Sequence, residues 1–157
     1  MNSPIVSRGA DALTFTTAPT DVMRFLAQGD QHSPDVYVER MAPGDGPPMH
    51  RHSWATWEVV IEGRIRAVVG DETYELGPGD LLFTPPDVPH TFMAIGDTEA
   101  QTVGINWPGG FHRLYAEMAP LFQTGAPPDF GALAAAAARH DAEILGPSLA
   151  QLEAAGG

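Results

Sequence analysis

The chain contains no cysteine and no lysine. The first absence removes disulfides, thiolate metal ligands and a cysteine nucleophile, so any metal must be held by His, Asp or Glu. The second leaves eight arginines as the whole cationic complement against 20 acidic residues, a formal net charge of −12. A surface of that sign repels phosphate backbones and anionic headgroups, which argues against nucleic acid and membranes as partners. No run of about 18 apolar residues is present to span a bilayer. Met1-Asn2-Ser3-Pro4-Ile5 lacks the basic segment and apolar core of a secretory signal, so the expected location is the cytoplasm. Alanine, glycine, proline and arginine in place of lysine match the bias of a G+C-rich bacterial genome. The 157 residues suffice for one domain that buries a core and encloses a ligand-sized cavity.

What the chain does have is a series of strand-length apolar segments punctuated by glycine and proline. Residues 1–35 mix short apolar and polar pieces and read as N-terminal strands or an arm, with Thr20 to Leu26 either a strand or a helical turn. From Asp35 to Met41 the pattern alternates, with Val36, Val38 and Arg40 on one face and Tyr37, Glu39 and Met41 on the other. Further strands are expected at Met49–Trp54, Thr56–Ile61, Arg64–Val69, Thr73–Leu76, Leu81–Thr84, His90–Ile95 and Gln101–Asn106. Their breaks fall at Glu62-Gly63, Gly70-Asp71 and Gly77-Pro78-Gly79-Asp80. Short strands at this spacing imply an antiparallel sandwich or barrel over residues 36–106.

After Trp107-Pro108-Gly109-Gly110 the period changes. Phe111, Leu114, Tyr115, Met118 and Phe122 recur at helical spacing, and Asp129 is placed to cap a second, alanine-rich helix running to His140. Residues 107–157 are therefore expected to be a helical extension packed outside the barrel. The aromatic stripe of the first helix reads as core packing, with a substrate-lining role as the alternative.

Two histidines one residue apart, His50 and His52, follow a glycine- and proline-rich turn, and His90 stands behind Pro85-Pro86-Asp87-Val88-Pro89. On a strand, residues two apart share a face, so the pair can aim both rings at one point while Met49 and Arg51 face away. A third imidazole from a neighbouring strand would complete a metal site. The same pair is equally at home as a buried, hydrogen-bonded couple that binds nothing. His32, His112 and His140 lie outside this pattern and are assigned no role.

These residues resemble the cupin superfamily. Its first motif runs Gly, five residues, His-x-His, three or four residues, Glu, six residues, Gly, and Gly44, His50, His52 and Gly63 match it. In the second motif Gly79, Pro85 and His90 fall at the family's intervals, while Asp87 and Ala94 replace its Gly and Asn. The stretch after Trp107 is similar to small single-domain bacterial cupins of the quercetin-dioxygenase-like kind. The resemblance implies an all-β fold, an antiparallel double-stranded β-helix (the cupin jelly-roll barrel) with C-terminal helices packed outside, and association as a homodimer.

The departure from the family is the carboxylate ligand, because Thr56 stands where cupins carry Glu. Glu58 lies two residues on, shares a face with Thr56 and should also point into the barrel. It either reaches the metal as a fourth ligand beside His50, His52 and His90, or sits nearby as an acid, base or hydrogen-bonding partner. A two-residue offset is about 6 to 7 Å along a strand, which favours the second arrangement. The remaining alternative is a solvent-exposed Glu58.

A three-histidine set suits a divalent transition metal, with Fe(II) the first expectation and Ni, Cu, Zn or Mn as alternatives. Three functions follow for a small-molecule substrate. One is a dioxygenase acting on an aromatic, flavonol-like or β-diketone-like compound by enolate chelation, with Glu58 removing a proton. A second is a non-redox cyclase, dehydratase or isomerase with Glu58 as acid and base. The third is a non-catalytic binding cupin. Trp54, Thr56 and Ala67 are the substrate-contact candidates, Ala67 as a maker of space.

Overall fold

A computed structural model describes residues 6–17, 20–123 and 128–156. The N-terminal segment Met1–Ile5, read above for a secretory signal, lies outside them. Two antiparallel sheets face each other. The first has six strands in the order β1 (Leu13–Thr16), β2 (Val22–Ala27), β3 (Asp35–Met41), β10 (Ala100–Trp107), β5 (Ala55–Glu62) and β8 (Leu81–Thr84). The second has five, ordered β11 (Ala142–Ser148), β4 (Pro48–His52), β9 (His90–Ile95), β6 (Arg64–Val69) and β7 (Glu72–Leu76). Three helices, α1 (Phe111–Phe122), α2 (Phe130–Arg139) and α3 (Leu149–Gly156), come from the C-terminal part of the chain. None of the helices is long and apolar enough to cross a membrane.

The alternation read from the sequence sets the inward faces. On β3 Tyr37, Glu39 and Met41 are buried, and on β5 Thr56, Glu58 and Val60. Along the barrel these residues form layers. Met41, Val60, Ile65, Ala94 and Ala100 plug one end as a fully buried cluster, while the histidines lie at the other. The turn between β5 and β6 depends on Gly63, whose φ is +69° and at which a Cβ would stand 2.3 Å from the carbonyl oxygen of Glu99. A side chain at that position would meet backbone that cannot yield.

Of the two alternatives for residues 20–26, the strand is the one adopted: β2 pairs with β3, and its Met23 and Phe25 join Tyr37 and Tyr115 in a second core cluster. One expectation from the sequence needs correction. The tail is not wholly helical, because β11 pairs with β4, the strand that carries the histidine pair. The sheets therefore extend beyond residues 36–106 at both ends. Asp129 caps α2 as expected, accepting from the Ala132 backbone N–H at 3.1 Å.

The seating of α1 decides what covers the histidine end. The N-cap residue that precedes it, Gly110, offers no side-chain cap, and the carboxylate of Asp35, at the start of β3, fills that place. Asp35 is fully buried and accepts from the backbone N–H groups of Gly110 (2.7 Å), Phe111 (2.6 Å) and Gly29 (2.7 Å), and from His112 Nδ1 (2.8 Å). Negative charge at a helix N-terminus with two unpaired N–H groups is favourable. Locked there, α1 directs Phe111 and Tyr115 onto Phe25 and Tyr37, with ring centroids 5.7 to 6.0 Å apart.

Candidate metal centre

His50 and His52 project from one face of β4, and His90 is the direct Cα partner of His50 across the β4–β9 pair. One ring nitrogen from each lies within 4.8 Å of one from both others. The second nitrogen of every ring is already fixed. Nδ1 of His50 meets the Pro48 carbonyl oxygen at 2.8 Å, Nδ1 of His52 meets that of Trp54 at 2.9 Å, and Nδ1 of His90 meets that of Val88 at 2.8 Å. A carbonyl only accepts, so each Nδ1 carries the hydrogen and each Nε2 keeps its lone pair. Burial lowers the pKa of all three, that of His52 to about 3, and the neighbouring imidazoles add to the effect on His50 and His52. Three neutral imidazoles with oriented lone pairs fit a divalent transition metal.

Glu58 points inward and is 3% exposed, which removes the solvent-exposed alternative. It is not a member of the histidine cluster found among the described residues. Oε1 accepts from Thr102 Oγ1 at 2.6 Å, and the Tyr37 hydroxyl is 3.5 Å from Oε2. Burial raises its pKa to about 7, against the lowering effect of these two hydrogen bonds. Thr56 is bonded to Asn106, donating to Oδ1 at 2.7 Å.

Two adjoining cavities open beside the cluster. The larger, about 310 Å³, is bordered by His50, His52, Trp54 and the inner faces of α1 and α2; the smaller, about 50 Å³, reaches Thr56, Glu58, His90 and Asn106. Trp54 lines both and stacks on His52, with ring centroids 4.2 Å apart and planes 3° from parallel. Ala67 is fully buried opposite Phe92 on β9 and lines neither cavity. Phe111 and Tyr115 combine the two roles considered for the aromatic stripe, since they pack in the core and line both cavities. His112 and His140 hold structural contacts, to Asp35 and Glu117 respectively.

Sequence reasoning overlooked the four acids that border the larger cavity, Asp21, Glu39, Asp45 and Glu143. Glu39 had left a signal, a carboxylate on the same alternating face as Tyr37 and Met41. Four buried polar atoms find no partner among the described residues: Asp21 Oδ1, Glu39 Oε2, Trp54 Nε1 and Asn106 Nδ2. All four belong to residues that border these cavities.

The sequence of residues 37–106 matches the cupin domain family. Residues 37–106 form a cupin domain. Solved structures agree on the fold. KdgF from a Halomonas species superposes with a TM-score of 0.63 at 14% identity, over 71% of this chain and 99% of that one. An RmlC-like cupin from Shewanella frigidimarina gives 0.59 at 21%, over 68% and 93%. The polyketide cyclase RemF from Streptomyces resistomycificus gives 0.54 at 22%, over 68% and 79%. No curated protein matches the sequence. At these identities the likenesses bear on the fold alone, and the chain's chemistry must be argued from its own side chains.

Proposed function

We propose that this protein is a metal-dependent enzyme that moves protons on an enolisable carbonyl of an aromatic or polyketide-like small molecule, as a cyclase, dehydratase or isomerase does. The observation that carries this reading is the pairing of three neutral imidazoles with a buried carboxyl group, Glu58, held apart from them. A divalent cation on His50, His52 and His90 would act as a Lewis acid on a substrate oxygen and lower the cost of forming the enolate. Fe(II) remains the first candidate, with Ni, Cu, Zn and Mn compatible with the same donors.

Glu58 is the proton carrier in this scheme. Burial raises its pKa to about 7 before a metal is bound, and a cation on the histidines would draw it back toward the ionised form, which suits a group that takes a proton from carbon and returns it elsewhere. The Thr102 hydroxyl fixes Oε1 and leaves Oε2 the freer oxygen. Trp54, held against His52, offers a flat apolar wall to a ring, and Thr56 orients Asn106 through its hydroxyl. RemF shows that a barrel of this fold is compatible with cyclase chemistry, without identifying the reaction here.

The dioxygenase is the second reading, favoured by a ligand set of only three imidazoles, which leaves coordination positions for more than one further ligand. Oxygen dependence separates the two. Metal-loaded protein incubated with a neutral β-hydroxyaryl ketone under argon and under air should form the same product at the same rate if the proton-transfer reading holds. Product formed only in air, with O₂ consumed, would establish the dioxygenase. Binding without product in either atmosphere would identify a binding protein.

We also propose a homodimer. Trp57, Leu81, Phe83 and Ile105 form an apolar patch on the outer face of β5, β8 and β10, with Trp57 and Phe83 in ring contact at 5.0 Å. A second copy seated there would cover both that patch and the edge strand β8. Sedimentation at twice the 16.7 kDa chain mass, reverting to one chain mass in Phe83→Glu, tests it.

A further inference from the structure

The larger cavity holds an acid pair that the scheme above does not use. Asp21, just before β2, and Glu39, on the inward face of β3, border it together, and Asp21 Oδ1 and Glu39 Oε2 are both buried without a partner among the described residues. The Thr17 hydroxyl donates to Asp21 Oδ2 at 2.7 Å. Two carboxyl groups buried at one cavity repel each other when both are ionised, so the pair keeps one proton. Its surroundings keep that proton in place. Glu39 is 2% exposed, and desolvation first, then the nearby charge of Asp21 and Glu58, raises its pKa well above the ordinary range. Desolvation likewise raises Asp21 to about 6, with Asp45 adding to it and Thr17 opposing. Burial first, and the nearby carboxyl groups second, raise the pKa of the Tyr37 and Tyr115 hydroxyls, which stay protonated.

No positive side chain balances this wall. Among the described residues no arginine borders either cavity, and the chain has no lysine. An acid or phosphate ester entering the cavity would meet the pair's negative charge in a low-dielectric setting. A second observation points to the kind of ligand that would be welcome. Trp54 is 7% exposed and Asn106 1% exposed, and both hold N–H donors without an acceptor at the same cavities. Buried donors of this kind are costly unless an oxygen atom meets them.

We propose that Asp21 and Glu39, sharing one proton, form a recognition subsite for a neutral hydroxyl or carbonyl group on an apolar ring, and that the pair excludes ligands bearing a carboxylate or phosphate. A one-proton pair offers a donor and an acceptor side by side, which a hydroxy-ketone can satisfy together and an anion cannot. The proposal rests on the histidine-lined cavity being the substrate site, and it names the substrate class.

The test is calorimetric titration of the metal-free full chain with 2-acetyl-1-naphthol and with 1-hydroxy-2-naphthoate, which share ring and hydroxyl and differ in carrying a ketone or a carboxylate. The ketone is expected to bind at least about tenfold more tightly, an electrostatic discrimination of ordinary size. In the Asp21→Asn/Glu39→Gln double variant the ratio should fall to within about threefold, because the charge is gone while the amides still donate and accept. Asp21→Asn alone should act in the same direction if the double variant does not fold. Glu75→Gln, on β7, bonded to Arg64 and Arg66 and bordering neither cavity, should leave the ratio unchanged. Equal affinities in the wild type, no binding of the ketone, or a ratio that survives in the acid-pair variants would overturn the proposal. Discrimination without turnover in metal-loaded protein would count against the enzyme reading and leave the subsite standing; turnover without discrimination would do the reverse.

Discussion

Gly104 lies beneath the ring of Tyr37: a Cβ at position 104 would stand 2.1 Å from Tyr37 Cζ and 2.3 Å from its hydroxyl oxygen. The two residues are Cα partners across β3 and β10. Glycine in the middle of a strand costs conformational entropy and packs nothing, and here its bare backbone admits the aromatic ring that closes over Glu58. Gly104→Ala is therefore expected to destabilise the protein by about 1 to 3 kcal/mol through overpacking, measured by thermal or urea unfolding. A variant as stable as the wild type would show that Tyr37 can move aside freely.

Asp35 should be among the most sensitive positions in the chain. Asp35→Ala leaves three backbone N–H groups and the His112 ring without their buried acceptor, and broken buried networks of this kind cost about 3 kcal/mol or more. Because these contacts seat α1, the loss should reach Phe111 and Tyr115 at the cavity wall. The expected outcome is a lower melting temperature together with weaker ligand binding; an unchanged melting temperature would contradict the seating role.

Glu58 makes a pH prediction with a definite sign. Its folded pKa of about 7 is raised above the ordinary carboxyl value of 4.5, so between those pH values the folded state holds more protons than the unfolded one. Its contribution to stability is then greatest below about pH 4.5 and is lost as the pH rises to about 7, an effect on the order of 3 kcal/mol. In metal-free protein, Glu58→Gln should flatten that fall between pH 5 and about 8, read as melting temperature against pH. Parallel wild-type and variant curves would show that Glu58 is ionised throughout.

The histidine triad was legible because strand alternation is a strict period: His50 and His52 two apart must share a face, and the spacing to His90 repeats a family pattern. The inward direction of Glu58 followed from the same rule. Glu39 was legible by that rule too, on the inner face with Tyr37 and Met41, but a single acid on an alternating strand does not reveal that Asp21 completes a pair. Strand β11 escaped because Gly146 and Pro147 interrupt it. It survives as an edge strand whose register to β4 is irregular between Ile144 and Ser148, where a missing N–H is tolerated. The tie from Asp35 to the start of α1 joins residues 75 apart, beyond any local pattern.

The central claim is that His50, His52 and His90 hold a metal while Glu58 stands off it. Elemental analysis of protein purified without an affinity tag tests this directly. Near one metal ion per chain is expected in the wild type and in Glu58→Ala, with loss in His50→Ala and in His90→Ala. Loss in all three variants would make Glu58 a ligand, and no metal in the wild type even after reconstitution would contradict the account at its root.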